Sequence, residues 1–304
     1  MTEKLGEPSG AGTFCDLSDR RAVLKGLVAE GAAALLPGAA NALTARIIED
    51  LGFRAAYLTG AGLTNTHLGM PDLGIVTVTD VVEATSRISD VCQLPLIVDI
   101  DTGFGNALNA YTTVQRLERA GAAGIQIEDQ IFPKKCGHFS GKNVVPIEEM
   151  LSKLKACLDA RRDPHTQIIA RTDSRAVLGF EAAMDRAHAM IETGADIIFV
   201  EAPETVEEIR AIGRLPAPQL INLVVGGRTP MMGTDALRDA GFSLVLYANA
   251  ALQASVKAMH EVLESLHRTG SLYEVSDRLA EFTERQRIVG KPMFDALSER
   301  YKDG

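Results

Sequence analysis

The chain has 304 residues, 46% hydrophobic and 23% charged, with a formal net charge of −9. That supply of apolar residues excludes disorder as the default state, and the acid excess excludes a nucleic-acid partner held by a global positive field. No stretch nears the roughly 18 apolar residues of a membrane span. The opening segment MTEKLGEPSGAGTF has neither a basic head nor an apolar run, so a cytoplasmic chain with no membrane partner is expected.

Residues 1–16 carry Gly, Pro and Ser in the manner of a loose arm, and 17–304 read as one domain. Short apolar runs then follow in chain order: AALLPG from Ala33, AAYLTG from Ala55, PLIVDID from Pro95, GIQIED from Gly124, QIIARTD from Gln167, DIIFVEA from Asp196, QLINLV from Gln219 and SLVLYA from Ser243. They are almost wholly apolar and do not alternate with polar residues, as strands covered on both faces should be. Amphipathic segments such as NALTARIIEDLGF, TVTDVVEATSRISDV, NALNAYTTVQRLERAGA and GFEAAMDRAHAMIETGA lie between them, several closing on a glycine step. Strand then helix, eight times over, predicts an α/β fold of the (β/α)8 barrel type. A doubly wound sheet is the alternative. Its dinucleotide fingerprint fails at Gly60-Ala-Gly62-Leu-Thr-Asn65, where Asn65 stands in place of the third glycine. From about 250 to 304 there is more helix than one barrel turn needs, an extension that either braces the barrel or packs on a neighbour.

In a barrel the chemistry gathers at the carboxyl ends of the strands. The polar residues there are Thr59, Asp99, Asp101, Glu128, Arg171, Asp173, Glu201, Asn222, Tyr247 and Asn249. Asp99 and Asp101 stand two apart, so an extended strand turns both carboxylates to one side, where they repel unless a cation is near. With Glu128 they make a hard oxygen donor set suited to Mg²⁺ or Mn²⁺. Arg171 offers a fork for a carboxylate or phosphate. The small residues Thr59, Gly60 and Ala61 let backbone amides approach an anion.

The cysteines, Cys15, Cys92, Cys136 and Cys157, form no CxxC pair, which argues against a zinc knuckle and a disulfide scaffold. Three read as incidental thiols. Cys136 differs, because Lys134, Lys135 and His138 surround it in FPKKCGHFSGK, and Gly137 and Gly141 let the segment hinge. Such a thiol suits proton transfer to an anionic carbon better than nucleophilic attack, since no partner histidine and acid is spelled out to activate it.

From about Ala22 to Leu252 the chain resembles the isocitrate lyase and phosphoenolpyruvate mutase superfamily, through YLTGAG, LGMPDLG, VDIDTGFGN, GIQIEDQ, KKCGH, ARTD, EAP and NLVVGGRTP. The resemblance implies a barrel whose last helix is swapped with a partner, within a homotetramer built from helix-swapped dimers. It also implies Mg²⁺ held through Asp99, with Asp72, Asp101 and Glu128 direct or through water. The substrate contacts then fall to Thr59, Gly60, Ala61, Lys134, Lys135, Gly137, His138, Glu201, Asn222 and Arg228. Cys136 becomes the acid that protonates the leaving carbanion and Arg171 the grip on the keto acid, with Tyr57 or a bound water as base.

The implied reaction is cleavage of a small 2-hydroxy di- or tricarboxylate, such as 2-methylisocitrate or 2,3-dimethylmalate, into an α-keto acid and a carboxylate. Oxaloacetate hydrolysis or decarboxylation is the alternative. A phosphonopyruvate-type mutase is disfavoured by the cysteine loop. Val225, Arg228, Thr59 and the lack of a proline after Tyr247 depart from the methylisocitrate lyase pattern.

Overall fold

The computed structural model describes residues 16–135 and 141–302. Eight strands appear where the apolar runs place them: β1 Ala34–Ala39, β2 Ala56–Leu58, β3 Leu96–Asp99, β4 Ala122–Glu128, β5 Gln167–Thr172, β6 Ile197–Val200, β7 Leu220–Asn222 and β8 Leu244–Tyr247. Neighbours pair in parallel from β1 through β6, β8 pairs with both β1 and β7, and a single parallel bridge from Ile198 to Gln219 joins β6 to β7. The architecture is a (β/α)8 barrel. Every residue of β2 through β7 is buried, yet the two faces of each strand serve different cores. Tyr57, Ile97, Ile169, Ile197 and Leu244 point into the barrel, whereas Leu58, Val98, Ala170, Ile198 and Val245 face the helical layer. The two-residue period is present after all, hidden because both faces are dry.

The intervening helices start and stop on local chemistry. Thr77 and Asp80 make a reciprocal cap at the start of Val78–Ser89, and Asn106 and Asn109 do so for Ala107–Ala120. Gly121 and Gly194 close their helices in the left-handed conformation and feed the chain into β4 and toward β6.

One helix escapes the sequence pattern. Leu17–Ala29 lies under the barrel, with Leu24, Leu27 and Val28 joining the interior core beside Tyr57, Ile97 and Phe199. Its two buried arginines are tied to chain ends that lead into strands. Arg20 donates to the carbonyls of Ser89 and Cys92, and Arg21 to that of Ala122. The barrel floor is therefore closed.

At the other end of the chain, the helix Ala250–Thr269 buries only Ser265 and leaves Val256, Met259 and Leu263 more than half exposed. A 3₁₀ turn and the helices Phe282–Ile288 and Lys291–Arg300 complete the expected extension. Among the described residues, no helix is long and apolar enough to cross a membrane. Cys92 and Cys157 are buried free thiols, and Cys15 lies outside the described residues.

Leu24 is fully buried against the barrel interior, and Leu→Ala at such a site costs about 2–5 kcal/mol. Leu24→Ala should lower the free energy of unfolding by that amount in a denaturant titration. A loss below about 1 kcal/mol would show that the helix does not seal the floor.

Candidate active site

The carboxyl ends of the strands converge on a cleft with an acidic side and an apolar one. Asp72, Asp99, Lys134, Arg171, Glu201 and Asn222 supply its polar lining, and Ala61, Leu246 and Ala248 its apolar part. Asp99 ends β3, but Asp101 is already off the strand, with a left-handed φ of 48°. The two carboxylates thus meet through a turn of the chain and not through strand alternation, and the Asp101 amide donates back to Asp99 Oδ1 at 3.0 Å. Such a backbone costs on the order of 1 kcal/mol in a non-glycine residue and concentrates at functional sites. Gly60 backs onto the pair: a Cβ there would stand 3.1 Å from Asp101 Oδ1 and 3.3 Å from Asp99 Oδ2. Only a glycine lets the chain after β2 come that close without crowding the acids.

Lys134 is the cation among these acids. Its Nζ lies 2.6 Å from Asp72 Oδ1 and 2.9 Å from Asp101 Oδ1, with its side chain only 5% exposed. Burial pushes Asp101 up to about 6, since Asp99 and Asp72 add to the effect and Lys134 only partly offsets it. Burial by itself would lower Lys134, but Asp101, Glu128, Asp99 and Asp72 hold it charged, well above the usual lysine range. Glu128 is also raised well above the carboxylate range by burial, with Arg171 opposing, and its Oε1 has no hydrogen-bond partner among the described residues. The donors are hard oxygens in a dry site, as a small divalent cation requires. They fit Mg²⁺ in kind and in burial, although no three of them are arranged around one point among the described residues.

Tyr57 is wholly buried and donates its hydroxyl to Gln126 Oε1 at 2.8 Å, while Gln126 Nε2 reaches Asp99 Oδ1 at 3.3 Å. Burial and the nearby Asp99 push the phenol well above its ordinary range. A hydroxyl so placed is a hydrogen-bond donor that orients Asp99 through Gln126, and a poor proton acceptor. Gln126 is absent from the strand-end pattern because it sits inside β4. Its one signal is that it is the sole side-chain amide in GIQIE.

Arg171, at the end of β5, lies across the mouth from the Thr59 loop. Its Nε and Nη2 donate to Asp173 at 2.9 and 3.1 Å, Nε lies 3.3 Å from Glu128 Oε2, and the guanidinium stacks 5.0 Å from the Phe199 ring centre. Nη2 lies 3.8 Å from Glu201 Oε1. Asn222, 9% exposed, brings an Oδ1 with no hydrogen-bond partner among the described residues. Thr59 caps the short helix Gly60–Leu63 and reaches Asn249 Oδ1 at 3.5 Å.

Two residues expected on the substrate stand elsewhere. Arg228 is half exposed and pairs with Glu204 at 3.4 Å, at the rim and not in the cleft lining, and Val225 beside it is 72% exposed. Lys135 turns outward, its Nζ on the Gly141 carbonyl at 3.0 Å and its backbone N–H on Gln130 Oε1. Cys136, Gly137 and His138 lie outside the described residues.

Fold and cleft together define a (β/α)8 barrel with an acid-rich cleft at the carboxyl ends of its strands. Residues 24–267 match the phosphoenolpyruvate phosphomutase family. The chain is 44% identical to 2-methylisocitrate lyase of Aeropyrum pernix over 88% of its own length and 86% of that protein's. It is 41% identical to 2,3-dimethylmalate lyase of Eubacterium barkeri, covering 88% of this chain and 93% of the relative. Among solved structures, oxaloacetate acetylhydrolase in complex with 3,3-difluorooxalacetate superposes with a TM-score of 0.88 at 31% identity, over 93% of this chain and 97% of that one. Phosphonopyruvate hydrolase in complex with oxalate and Mg²⁺ gives 0.84 at 31% identity, over 93% and 99%. The chain belongs to the PEP mutase/isocitrate lyase superfamily.

Asp173 supplies the pH signature. Burial would raise it, but Arg171 and Lys142 bring its carboxyl down to about 2. A depressed acid stabilises the fold above its ordinary value near 3.9 and loses that contribution as pH falls through 2, which amounts to about 2–3 kcal/mol. The stability gap between the unsubstituted protein and Asp173→Asn should therefore narrow by about that much from pH 5 to pH 2. A gap independent of pH would contradict the ion pairing.

Proposed function

We propose that the protein is a Mg²⁺-dependent carbon–carbon lyase that cleaves a 2-hydroxy di- or tricarboxylate of the 2-methylisocitrate or 2,3-dimethylmalate kind. The observation that carries this reading is the buried set Asp72, Asp99, Asp101 and Glu128 beside Arg171, with Asp72, Asp99 and Arg171 lining one cleft, in a chain 41–44% identical to two such lyases. A divalent cation held through Asp99, with Asp101, Asp72 and Glu128 around it, would polarise the substrate's hydroxyl and neighbouring carboxylate.

The chain's own groups do the rest. Arg171, clamped by Asp173, grips the carboxylate of the forming α-keto acid and stabilises charge on its oxygen. A water molecule in the cleft takes the hydroxyl proton, and the C2–C3 bond breaks as its electrons pass to the departing carbon and the C2 oxygen becomes the keto carbonyl. The resulting carboxylate enolate takes a proton at carbon from the Cys136 thiol, which is left as a thiolate. Tyr57 holds Gln126, and Gln126 holds Asp99. Asn222 and the Thr59 loop receive the remaining substrate oxygens, and Ala61, Leu246 and Ala248 give an alkyl substituent an apolar wall.

Hydrolysis of oxaloacetate is the second reading. It is favoured by the superposition on oxaloacetate acetylhydrolase. Methylisocitrate, isocitrate, dimethylmalate, oxaloacetate and phosphonopyruvate, each assayed with Mg²⁺ for keto-acid or oxalate release, separate the two. The lyase reading expects pyruvate or glyoxylate from one of the first three and fails if only oxaloacetate or phosphonopyruvate turns over. EDTA should abolish activity, and Asp99→Ala should cut kcat at least about a hundredfold. Cys136→Ser should cost about 10²–10⁴ in kcat, and full activity in that variant would remove the thiol as proton donor.

The same reading includes a cytoplasmic location, which the free buried thiols support. It also includes a homotetramer of helix-swapped dimers, supported by the apolar row Val256, Met259 and Leu263 left uncovered on Ala250–Thr269. Sedimentation should return about four times the 32.6 kDa chain mass. A monomer at micromolar concentration would exclude the swap.

A further inference from the structure

The stem that returns from the KKCGH loop carries a lysine for which the mechanism above has no use. Lys142 has a side chain 1% exposed, and its Nζ lies 2.7 Å from Asp173 Oδ1. That oxygen also accepts from Arg171 Nη2, while Asp173 Oδ2 accepts from Arg171 Nε. One carboxylate thus joins the loop stem to the arginine of the cleft. The backbone that carries the carboxylate is fixed from behind: the Asp173 amide donates to Asp129 Oδ1 at 2.8 Å, and Thr172 Oγ1 donates to Asp129 Oδ2 at 2.6 Å. Asp129 in turn receives Arg186 at 3.0 Å, and its carbonyl accepts from the Val145 amide at 2.9 Å. The return stem is consequently bound to the ends of β4 and β5, through Lys142 and Val145 among others.

The charges explain why a second cation is needed. Three carboxylates, those of Asp173, Glu128 and Glu201, stand within 3.8 Å of the one Arg171 guanidinium. A guanidinium so heavily neutralised has little attraction left for a substrate anion, and a buried carboxylate shared by two cations pulls less on either. We propose that Lys142 is a positioning residue for Arg171. By taking a share of Asp173 it leaves the guanidinium both fixed in plane and electrostatically open toward the cleft, and it makes that state depend on the seating of the loop stem. A donor oriented in advance binds an anion without reorganisation, which is the gain Lys142 secures. The inference rests on the lyase reading, in which Arg171 grips the keto-acid carboxylate.

The test uses oxalate as a keto-acid mimic, titrated calorimetrically with Mg²⁺ into the full-length protein and into Lys142→Gln and Lys142→Arg, with thermal melting of each. Lys142→Gln should weaken oxalate about tenfold and raise KM by a similar factor, with a smaller change in kcat. Lys142→Arg, which keeps the charge, should stay within about threefold of the unsubstituted protein. Equal oxalate affinity in Lys142→Gln, with only the melting temperature lowered, would reduce the lysine to a brace for the fold and overturn the proposal. So would a Lys142→Arg variant as weak as Lys142→Gln. Failure of the unsubstituted protein to bind oxalate would instead sink the lyase reading, and this inference with it.

Discussion

Four carboxyl groups cannot all stay ionised in one dry site unless a cation shares it with them. Asp72, Asp99, Asp101 and Glu128 are all more than nine-tenths buried, and water is too scarce there to screen their repulsion. The ammonium of Lys134 answers that constraint by bridging Asp72 and Asp101. Everything around the cluster is arranged to tolerate or exploit its negative potential: a glycine where the chain must pass behind it, a phenol kept protonated beside it, and a guanidinium on its far side. The energetic cost of gathering these acids is what makes the cleft receptive to a divalent cation, because such an ion relieves several repulsions at once.

Arg171 faces a related problem and meets it differently. It has an excess of acidic neighbours, and the surplus is handed to a second cation on another segment. The acid side of the cleft and the arginine side are linked through Glu128, which touches the guanidinium and belongs to the same buried set as Asp101. A change in charge on one side is therefore felt on the other through about one side-chain length.

Much of the fold was legible in the sequence, for a definite reason. Covered strands produce eight apolar runs, and runs such as QIIARTD and GIQIED turn polar where the chain reaches the buried cleft, so they announce both a strand and its functional end. The helix Leu17–Ala29 was not legible, because Arg20 and Arg21 look like surface residues until their carbonyl partners are seen. Asp99 and Asp101 lie side by side through a left-handed turn, where the sequence suggests strand period. Gln126 is hidden inside a strand, and Arg228, expected on the substrate, pairs with Glu204. Motif position gives the neighbourhood of a side chain. Which neighbour wins it depends on partners far away in the chain.

Leu24, Leu27 and Val28 seal the barrel from below, at the end opposite the cleft. The floor and the mouth of the barrel are thus separate constraints: apolar side chains under the strands can be exchanged for others of like volume without touching the cleft that the upper strand ends line.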